Sequence, residues 1–216
     1  MMNDNKPYQS IVSHYETCLA RFGDSHLGVN WTNAVDTDKR YQVMLEVIRN
    51  TTSDKLITLL DFGCGASHLL DYIKKNGIQG IQYVGLDMSP DFIALSQQKY
   101  PDIEFLQMDV LDSNAILPQF DYIVMNGVFT IKRELSFEEM FTYFSAVIEK
   151  VFPFCNQGMA FNVMSKQVDW EREDLFHLPL DKLARLLIQK LSRHFLIRND
   201  YGLYEYTVYL YHHASL

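Results

Sequence analysis

From residue 56 onward the chain alternates short apolar segments with segments of helical periodicity, and this alternation restricts the fold more than any other feature. The run LITLL at residues 56–60 is almost wholly apolar, as in a strand that is buried on both faces. Strands and helices that alternate at this spacing predict a parallel sheet with helices on both of its faces. The last two predicted strands, at residues 194–199 and 204–213, are joined by a short link and must therefore pair antiparallel.

The segment before residue 51 has a helical pattern of its own. It is interrupted near Phe22–Ser25 and at Gly28, where glycine and small polar residues favour a turn. Because we find no linker after it, we expect residues 1–50 to form a helical cap or lid of the same domain. Residues 51–216 are then expected to form the ligand-binding domain proper, and a length of 216 residues suits this organisation.

Charge and cysteine content narrow the classes of function. The chain carries 19 basic and 27 acidic residues, for a net charge of −8, and it shows no basic stripe. We therefore expect neither nucleic acid nor an anionic membrane surface as a partner.

Three scattered cysteines are too few for a disulfide framework or a zinc site, and we expect no metal. Without an apolar targeting segment or a run that could span a bilayer, the sequence favours a cytoplasmic protein.

A glycine-containing loop follows the first of these strands. In the segment Asp61-Phe62-Gly63-Cys64-Gly65 the glycines allow close approach of a ligand, and the helix that follows offers backbone N–H groups. A dinucleotide fingerprint would require glycine at position 68, which is His68. The carboxylate of Asp61 would repel a pyrophosphate and attract an ammonium group. The loop therefore favours S-adenosylmethionine over NAD, although a plain tight turn remains an alternative.

Two further acids follow the next two predicted strands. Asp87 lies 22 residues after Gly65, close to the spacing of about 20 at which an acid reaches the ribose hydroxyls of a bound nucleoside. Met88 is placed to pack on an adenine, and Asp109 to accept from its amino group. A lone acid at a strand end is usually a helix cap. Acids at three successive strand ends instead favour a ligand site, because ligands bind at the carboxyl edge of open α/β sheets.

The motifs DFGCGAS, VGLDMS, LQMDV and FDYIVMNGVF occur in this order and resemble those of class I S-adenosylmethionine-dependent methyltransferases. The resemblance implies S-adenosylmethionine as cosubstrate. It also implies an α/β fold with a Rossmann-like, mostly parallel sheet of seven strands in the order 3-2-1-4-5-7-6, with strand 7 antiparallel. The implied contacts run from Gly63 and Gly65 to the methionine end, from Asp87 to the ribose, and from Asp109 and Val110 to the adenine.

The N-terminal segment and the loop after the fourth strand supply further candidates for the cofactor site. In many enzymes of this class the N-terminal segment folds over the cofactor, and here it contains Tyr15, Trp31 and Arg40. A role of these aromatic residues in packing alone is an equally open interpretation. Asn126 and Gly127 follow the fourth strand, where amino-directed DNA methyltransferases place an Asn/Asp/Ser-Pro-Pro-aromatic motif. The absence of prolines there disfavours a nucleic-acid base as acceptor. Cys64 completes the predicted cofactor set.

The acceptor side is less constrained. We expect the acceptor pocket between the loop Asn126–Lys132, Asn162, and the segments Trp170–His177 and Asp200–Glu205. Methyl transfer needs mainly alignment, and a hydroxyl acceptor also needs a general base. The candidates for this catalytic base are His177, Glu205 and His14.

A resemblance of the closing segment DYGLYEYT to a group of stand-alone bacterial methyltransferases suggests a small polar, sugar-like acceptor. Methylation of a protein side chain and a non-catalytic S-adenosylmethionine-binding module remain alternatives, and the oligomeric state is left open.

Overall fold

The computed structural model describes residues 6–49 and 56–214 and contains one sheet flanked by helices. The strands are β1 (Ile57–Phe62), β2 (Ile81–Asp87), β3 (Glu104–Gln107), β4 (Phe120–Phe129), β5 (Cys155–Ser165), β6 (His177–Leu178), β7 (His194–Arg198) and β8 (Glu205–Tyr211). The helices are α1 (Gln9–Phe22), α2 (Val35–Leu45), α3 (His68–Lys75), α4 (Pro90–Lys99), α5 (Phe137–Val151) and α6 (Leu180–Lys190).

The strands follow the order β3-β2-β1-β4-β5-β8-β7 across the sheet, and β6 pairs with β5 outside this path. β8 runs antiparallel to both β5 and β7, whereas the first five strands pair parallel with their neighbours. Apart from β6, this is the predicted seven-strand order, so the predicted fold class is confirmed. β6 has only two residues, which is too short to show a periodic pattern in the sequence.

Apolar side chains cover both faces of the sheet. On one face Phe144 of α5 packs against Phe129 and Phe161, with ring centroids 5.0 and 5.4 Å away, and all three side chains are fully buried. On the other face α2 and α3 bury residues such as Met44 and Leu69. Each such side chain contributes about 1.5–3 kcal/mol on burial, so both helical layers are held firmly to the sheet. Within residues 6–49 and 56–214, no helix is long and apolar enough to cross a membrane.

Tyrosine hydroxyls from β8 hold the end of α2 and the turn after it. Tyr209 donates to the carbonyl of Val43 at 2.6 Å, and Tyr211 donates to the carbonyl of Val47 at 3.1 Å. These groups are buried, so their hydrogen bonds replace bonds to water that burial removes. The anchoring gives α2 one position on the sheet and thereby directs Arg40, one turn earlier, toward the carboxyl edge of the strands.

Candidate active site

The glycine loop after β1 bends over the end of β2. Gly63 and Gly65 have φ angles of +72° and +51°, in the left-handed region that glycine adopts without strain. The amides of Gly63 and Cys64 both donate to the carbonyl of Leu86, at 2.7 and 2.9 Å. The amide of Gly65 donates to Oδ2 of Asp87 at 2.9 Å. The loop is therefore held in one conformation by the next strand.

Asp87 has a second bond within the protein, because its Oδ1 accepts from the amide of Ser89 at 2.9 Å. Burial raises the pKa of Asp87, while the amides of Ser89 and Gly65 act in the opposite direction. Each carboxylate oxygen has two acceptor positions, so one on each oxygen is left for a ligand. Asp87 is thus both a support for the loop and a wall of the cavity beside it.

A cavity of about 130 Å³, which we term the central cavity, lies at the carboxyl ends of β1, β2 and β4. Ten of the thirteen predicted cofactor residues line it. Those from the strand ends and the glycine loop are Asp61, Gly63, Cys64, Gly65, Asp87 and Met88. Those from the N-terminal segment and the end of β4 are Tyr15, Trp31, Asn126 and Gly127. Folding therefore brings together residues that lie more than 100 positions apart.

Asp61 is the buried acid of the central cavity. Burial raises its pKa to about 7, although the hydroxyl of Tyr83 donates to its Oδ2 at 2.7 Å and opposes that rise. A cationic group placed in the cavity would favour the charged carboxylate and lower the pKa again. The site is therefore suited to an ammonium group.

The structure does not place the predicted adenine residues Asp109 and Val110 in the wall of the central cavity. Asp109 accepts from Lys6 Nζ at 2.7 Å and from the hydroxyl of Tyr8 at 2.9 Å. Although burial opposes them, these bonds keep the pKa of Asp109 below its ordinary value. Val110 is buried in the hydrophobic core.

Tyr8, which sequence reasoning missed, lines the cavity in their place and stacks on Tyr143 at a centroid distance of 4.4 Å. No local pattern marks this residue, since the acid it binds lies 101 positions further along the chain.

A second cavity of about 230 Å³, the lateral cavity, adjoins the central one. The two share the side chains of Tyr15, Val29 and Trp31 in their walls. The lateral cavity is the more highly charged, and its ionisable wall residues are His14, Arg40, Arg133, Arg172, Asp174 and Glu205. It lies where the predicted pocket segments meet, after β4, at the end of β5 and at the start of β8.

Arg40, predicted to touch the cofactor, lies instead in the wall of the lateral cavity. Its Nε donates to both carboxylate oxygens of Glu205, at 3.1 and 3.0 Å, and its guanidinium lies 4.1 Å from the ring centroid of Trp31. Asn162 also donates to Glu205, at 2.9 Å, and its Oδ1 accepts from the amide of Gly127 at 2.7 Å. This buried chain of bonds connects the N-terminal segment to β4, β5 and β8. Glu205 is committed to it as an anchor, which disfavours the predicted role as a base.

The structure places His177 away from both cavities. The side chain is buried in β6 and lines neither cavity. Its Nδ1 is 2.6 Å from the carbonyl of Ser165, and its Nε2 accepts from the amide of Arg172 at 3.3 Å. Both ring nitrogens are therefore occupied by backbone groups, and the residue holds the backbone of Arg172, which lines the lateral cavity.

His14 lies in the wall of the lateral cavity, and its role as the base stays a prediction. Burial and then the positive charge of Arg133 lower the pKa of its imidazole. The ring is neutral at pH 7, which is the form that accepts a proton.

An open sheet of this order, with a glycine loop after its first strand and an acid at the end of the second, has the fold of class I S-adenosylmethionine-dependent methyltransferases. Magnesium protoporphyrin IX methyltransferase of Synechocystis PCC 6803, solved with bound S-adenosylmethionine, superposes with a TM-score of 0.65 at 14% identity over 98% of this chain and 99% of its own. The 1,6-didemethyltoxoflavin-N1-methyltransferase of Burkholderia thailandensis superposes with a TM-score of 0.61 at 15% identity, over 95% and 89% of the two chains.

Sequence comparisons agree with the fold. Residues 60–146, from the glycine loop into α5, match the family described as Methyltransferase domain. A Mycobacterium tuberculosis protein, Rv1506c, is named provisionally as a methyltransferase. It is 28% identical over 153 residues, which cover 68% of this chain and 89% of that protein. The family match over residues 60–146 and the shared fold indicate a methyltransferase that uses S-adenosylmethionine.

Proposed function

We propose that this enzyme transfers a methyl group from S-adenosylmethionine, bound in the central cavity, to a small polar acceptor in the lateral cavity, and that it does so in the cytoplasm. The observation that carries the proposal is the common wall of Tyr15, Val29 and Trp31. Because the two cavities have these lining residues in common, ligands bound in them lie next to each other. A direct methyl transfer requires this proximity.

The residues of the central cavity suit the charged and the apolar parts of the cosubstrate. A Cβ built on Gly63 would lie 2.6 Å from Cγ2 of Val128, which is closer than van der Waals contact allows. Only glycine therefore fits at this position of the loop. Asp61 suits the ammonium group of the methionine end, and the remaining acceptor positions of Asp87 suit the ribose hydroxyls. Met88 and the ring of Tyr8 offer apolar surface for the adenine. We retain Asp109 as an indirect support of this end, through Tyr8.

S-adenosylmethionine supplies a methyl group already activated by a sulfonium. A lone pair on the acceptor's oxygen or nitrogen forms the new bond to the methyl carbon while the carbon–sulfur bond breaks, and that bond's electron pair stays on sulfur. The proton released from the acceptor passes to His14, whose neutral ring faces the lateral cavity, and from there to water. The protein's main contribution is alignment, which the side chains of Tyr15, Val29 and Trp31 shared by the two cavities provide.

A small molecule fits the lateral cavity better than a protein side chain or a DNA base does. The cavity has a defined volume of about 230 Å³ and a mixed wall of rings and charges. The toxoflavin methyltransferase that shares the fold was solved with bound 1,6-didemethyltoxoflavin and S-adenosylhomocysteine, which supports a small-molecule acceptor. A sugar-like acceptor is one member of the class.

Two measurements test the proposal. Isothermal titration calorimetry of the purified protein should show binding of S-adenosylhomocysteine, and NAD should produce no heat of binding. Radiolabelled S-adenosylmethionine, incubated with the protein and fractionated small-molecule extract, should label at least one fraction. Binding of NAD without S-adenosylhomocysteine would contradict the cofactor assignment. Tight S-adenosylhomocysteine binding with label found only on protein would favour the side-chain alternative.

A further inference from the structure

We propose that the methyl acceptor carries an anionic group, a carboxylate or a phosphate, and that Arg133 binds it in the lateral cavity. The inference rests on the proposed function and specifies its substrate class. It begins from the charges in the cavity wall, where three arginines face two acids within the part of the chain that the structure describes.

Two of the three arginines are already committed. Arg40 forms the buried ion pair with Glu205. Arg172 donates through Nε and a terminal nitrogen to the two carboxylate oxygens of Asp174, at 3.0 and 2.6 Å. A planar guanidinium matched to a carboxylate in this way has its preferred geometry already satisfied. The wall's excess positive charge is therefore that of Arg133.

Arg133 has a weak partner. Its terminal nitrogen lies 3.3 Å from Glu134, the next residue, whose side chain is 73% exposed. Ion pairs between exposed groups contribute little because water screens them. The guanidinium has five N–H donors, so most of them remain available to a ligand that enters the cavity.

The backbone holds Arg133 in an unusual position. Its φ is +52°, and Asn30, which also lines the lateral cavity, has φ of +59°; among the described residues only one other non-glycine residue, Ser67, is left-handed. The amides of Lys132 and Arg133 both donate to the carbonyl of Asp174, at 2.9 and 3.1 Å. Strained backbone that its surroundings hold in place is found mainly at functional sites, and here it directs a cation into a cavity.

The other charged groups near Arg133 are compatible with an anion. The ionisable groups near it include His14, Cys18, Glu134, Asp174 and Arg172, and the ring of His14 is kept neutral by burial and by Arg133 itself. The net charge of −8 opposes an anionic ligand at long range, but salt screens such fields beyond about 8 Å. Local contact with the guanidinium, and not the net charge, therefore decides whether an anion binds in the cavity. An anion bound there would bring the rest of the acceptor close to His14.

The test uses three probes of similar shape on the protein saturated with S-adenosylhomocysteine: benzoate, phenyl phosphate and benzamide. Ligand-observed NMR titrations give each dissociation constant. We expect at least one anion to bind about tenfold more tightly than benzamide, as a charge-assisted contact predicts. Arg133→Gln should remove that preference, and Arg133→Lys should retain part of it. Arg185→Gln, which removes an exposed arginine of α6, is the matched control and should leave it unchanged.

Each outcome is decisive. The inference would be overturned if the three probes bound equally well or if neither anion bound. It would also be overturned if the preference for an anion persisted in Arg133→Gln. Preference for benzoate or for phenyl phosphate identifies which anion the acceptor carries. Binding of S-adenosylhomocysteine is measured first, so that its failure counts against the proposed function, whereas failure of the anion probes on the loaded protein counts against the role of Arg133 alone.

Discussion

The carboxylate of Asp87 accepts a hydrogen bond from the backbone amide of Gly65 at 2.9 Å, and this bond joins the end of β2 to the glycine loop. One side chain therefore both shapes the glycine loop and lines the central cavity, where we place the methionine end and the ribose of the cosubstrate. On that placement, a change at Asp87 should affect both ends of the cosubstrate.

Replacement of Asp87 tests this coupling. Asp87→Ala removes two bonds to the backbone and two acceptor positions, and bonds to a charged group contribute about 1.5–3 kcal/mol each. We expect S-adenosylhomocysteine to bind at least about tenfold more weakly by calorimetry. Asp87→Asn, which keeps one acceptor oxygen, should lie between the wild type and Asp87→Ala. Unchanged affinity in Asp87→Ala would reduce the residue to a helix cap.

Asp61 predicts release of protons on cosubstrate binding. With a pKa near 7 it is about half protonated at pH 7, and an ammonium group beside it would favour the charged form. Binding should therefore release up to about half a proton, and affinity should rise as pH increases through this range. Calorimetry in phosphate and in Tris, whose ionisation enthalpies differ, measures the number. Asp61→Asn should abolish the release, and an equal release in that variant would assign it to another group.

The ion pair of Arg40 and Glu205 predicts a large effect on stability. Removal of one partner from a buried pair leaves an uncompensated charge and costs about 3–5 kcal/mol. We expect Arg40→Met to lower the free energy of unfolding in urea by this amount. The double variant Arg40→Met/Glu205→Gln should recover more than half of the loss. If Arg40→Met lowers the free energy of unfolding no more than a substitution at an exposed site does, water must reach Glu205.

His14 predicts a characteristic pH profile. A base must be deprotonated, so kcat/KM should rise with pH up to a pKa below the ordinary value of about 6.5 and then level off. Because Arg133 helps to lower this pKa, Arg133→Gln should move the rise to higher pH. His14→Gln should reduce kcat by about 100-fold and leave S-adenosylhomocysteine affinity intact. His213→Gln, at an exposed site, is the control. If the pH profile is unaltered in His14→Gln, His14 is not the base, and alignment is the protein's sole contribution to catalysis.

The N-terminal segment predicts a dependence of binding on residues far from the glycine loop. Removal of residues 1–35 deletes Tyr8, Tyr15 and Trp31 from the central cavity, and we expect it to abolish binding of S-adenosylhomocysteine. Trp31→Ala should weaken binding in the full chain, whereas Phe22→Ala, an exposed aromatic outside both cavities, should not. Normal affinity in the truncated protein and in Trp31→Ala would make the segment a structural cap.

The alternation of strands and helices and the position of the glycine loop follow from the sequence because both depend on local patterns, whereas the order of the strands was implied by the resemblance to class I methyltransferases. A run such as LITLL, a glycine pair before a helix and an acid at a strand end are all set by neighbours a few residues away. The topology rules for connected strands then leave few arrangements, and Asp61, Gly63, Gly65 and Asp87 must meet at one edge.

The partners of individual side chains were decided only by the tertiary structure. The bond of Tyr8 to Asp109 spans 101 positions, and the pair of Arg40 and Glu205 spans 165. Such contacts have no period and no spacing, since they depend on how α1, α2 and β8 pack together. For the same reason His177, a plausible base by residue type, proves to be buried behind the wall with both ring nitrogens bonded to backbone. Local pattern and motif resemblance thus determined the fold and the place of the site, while long-range packing determined which side chains reach it.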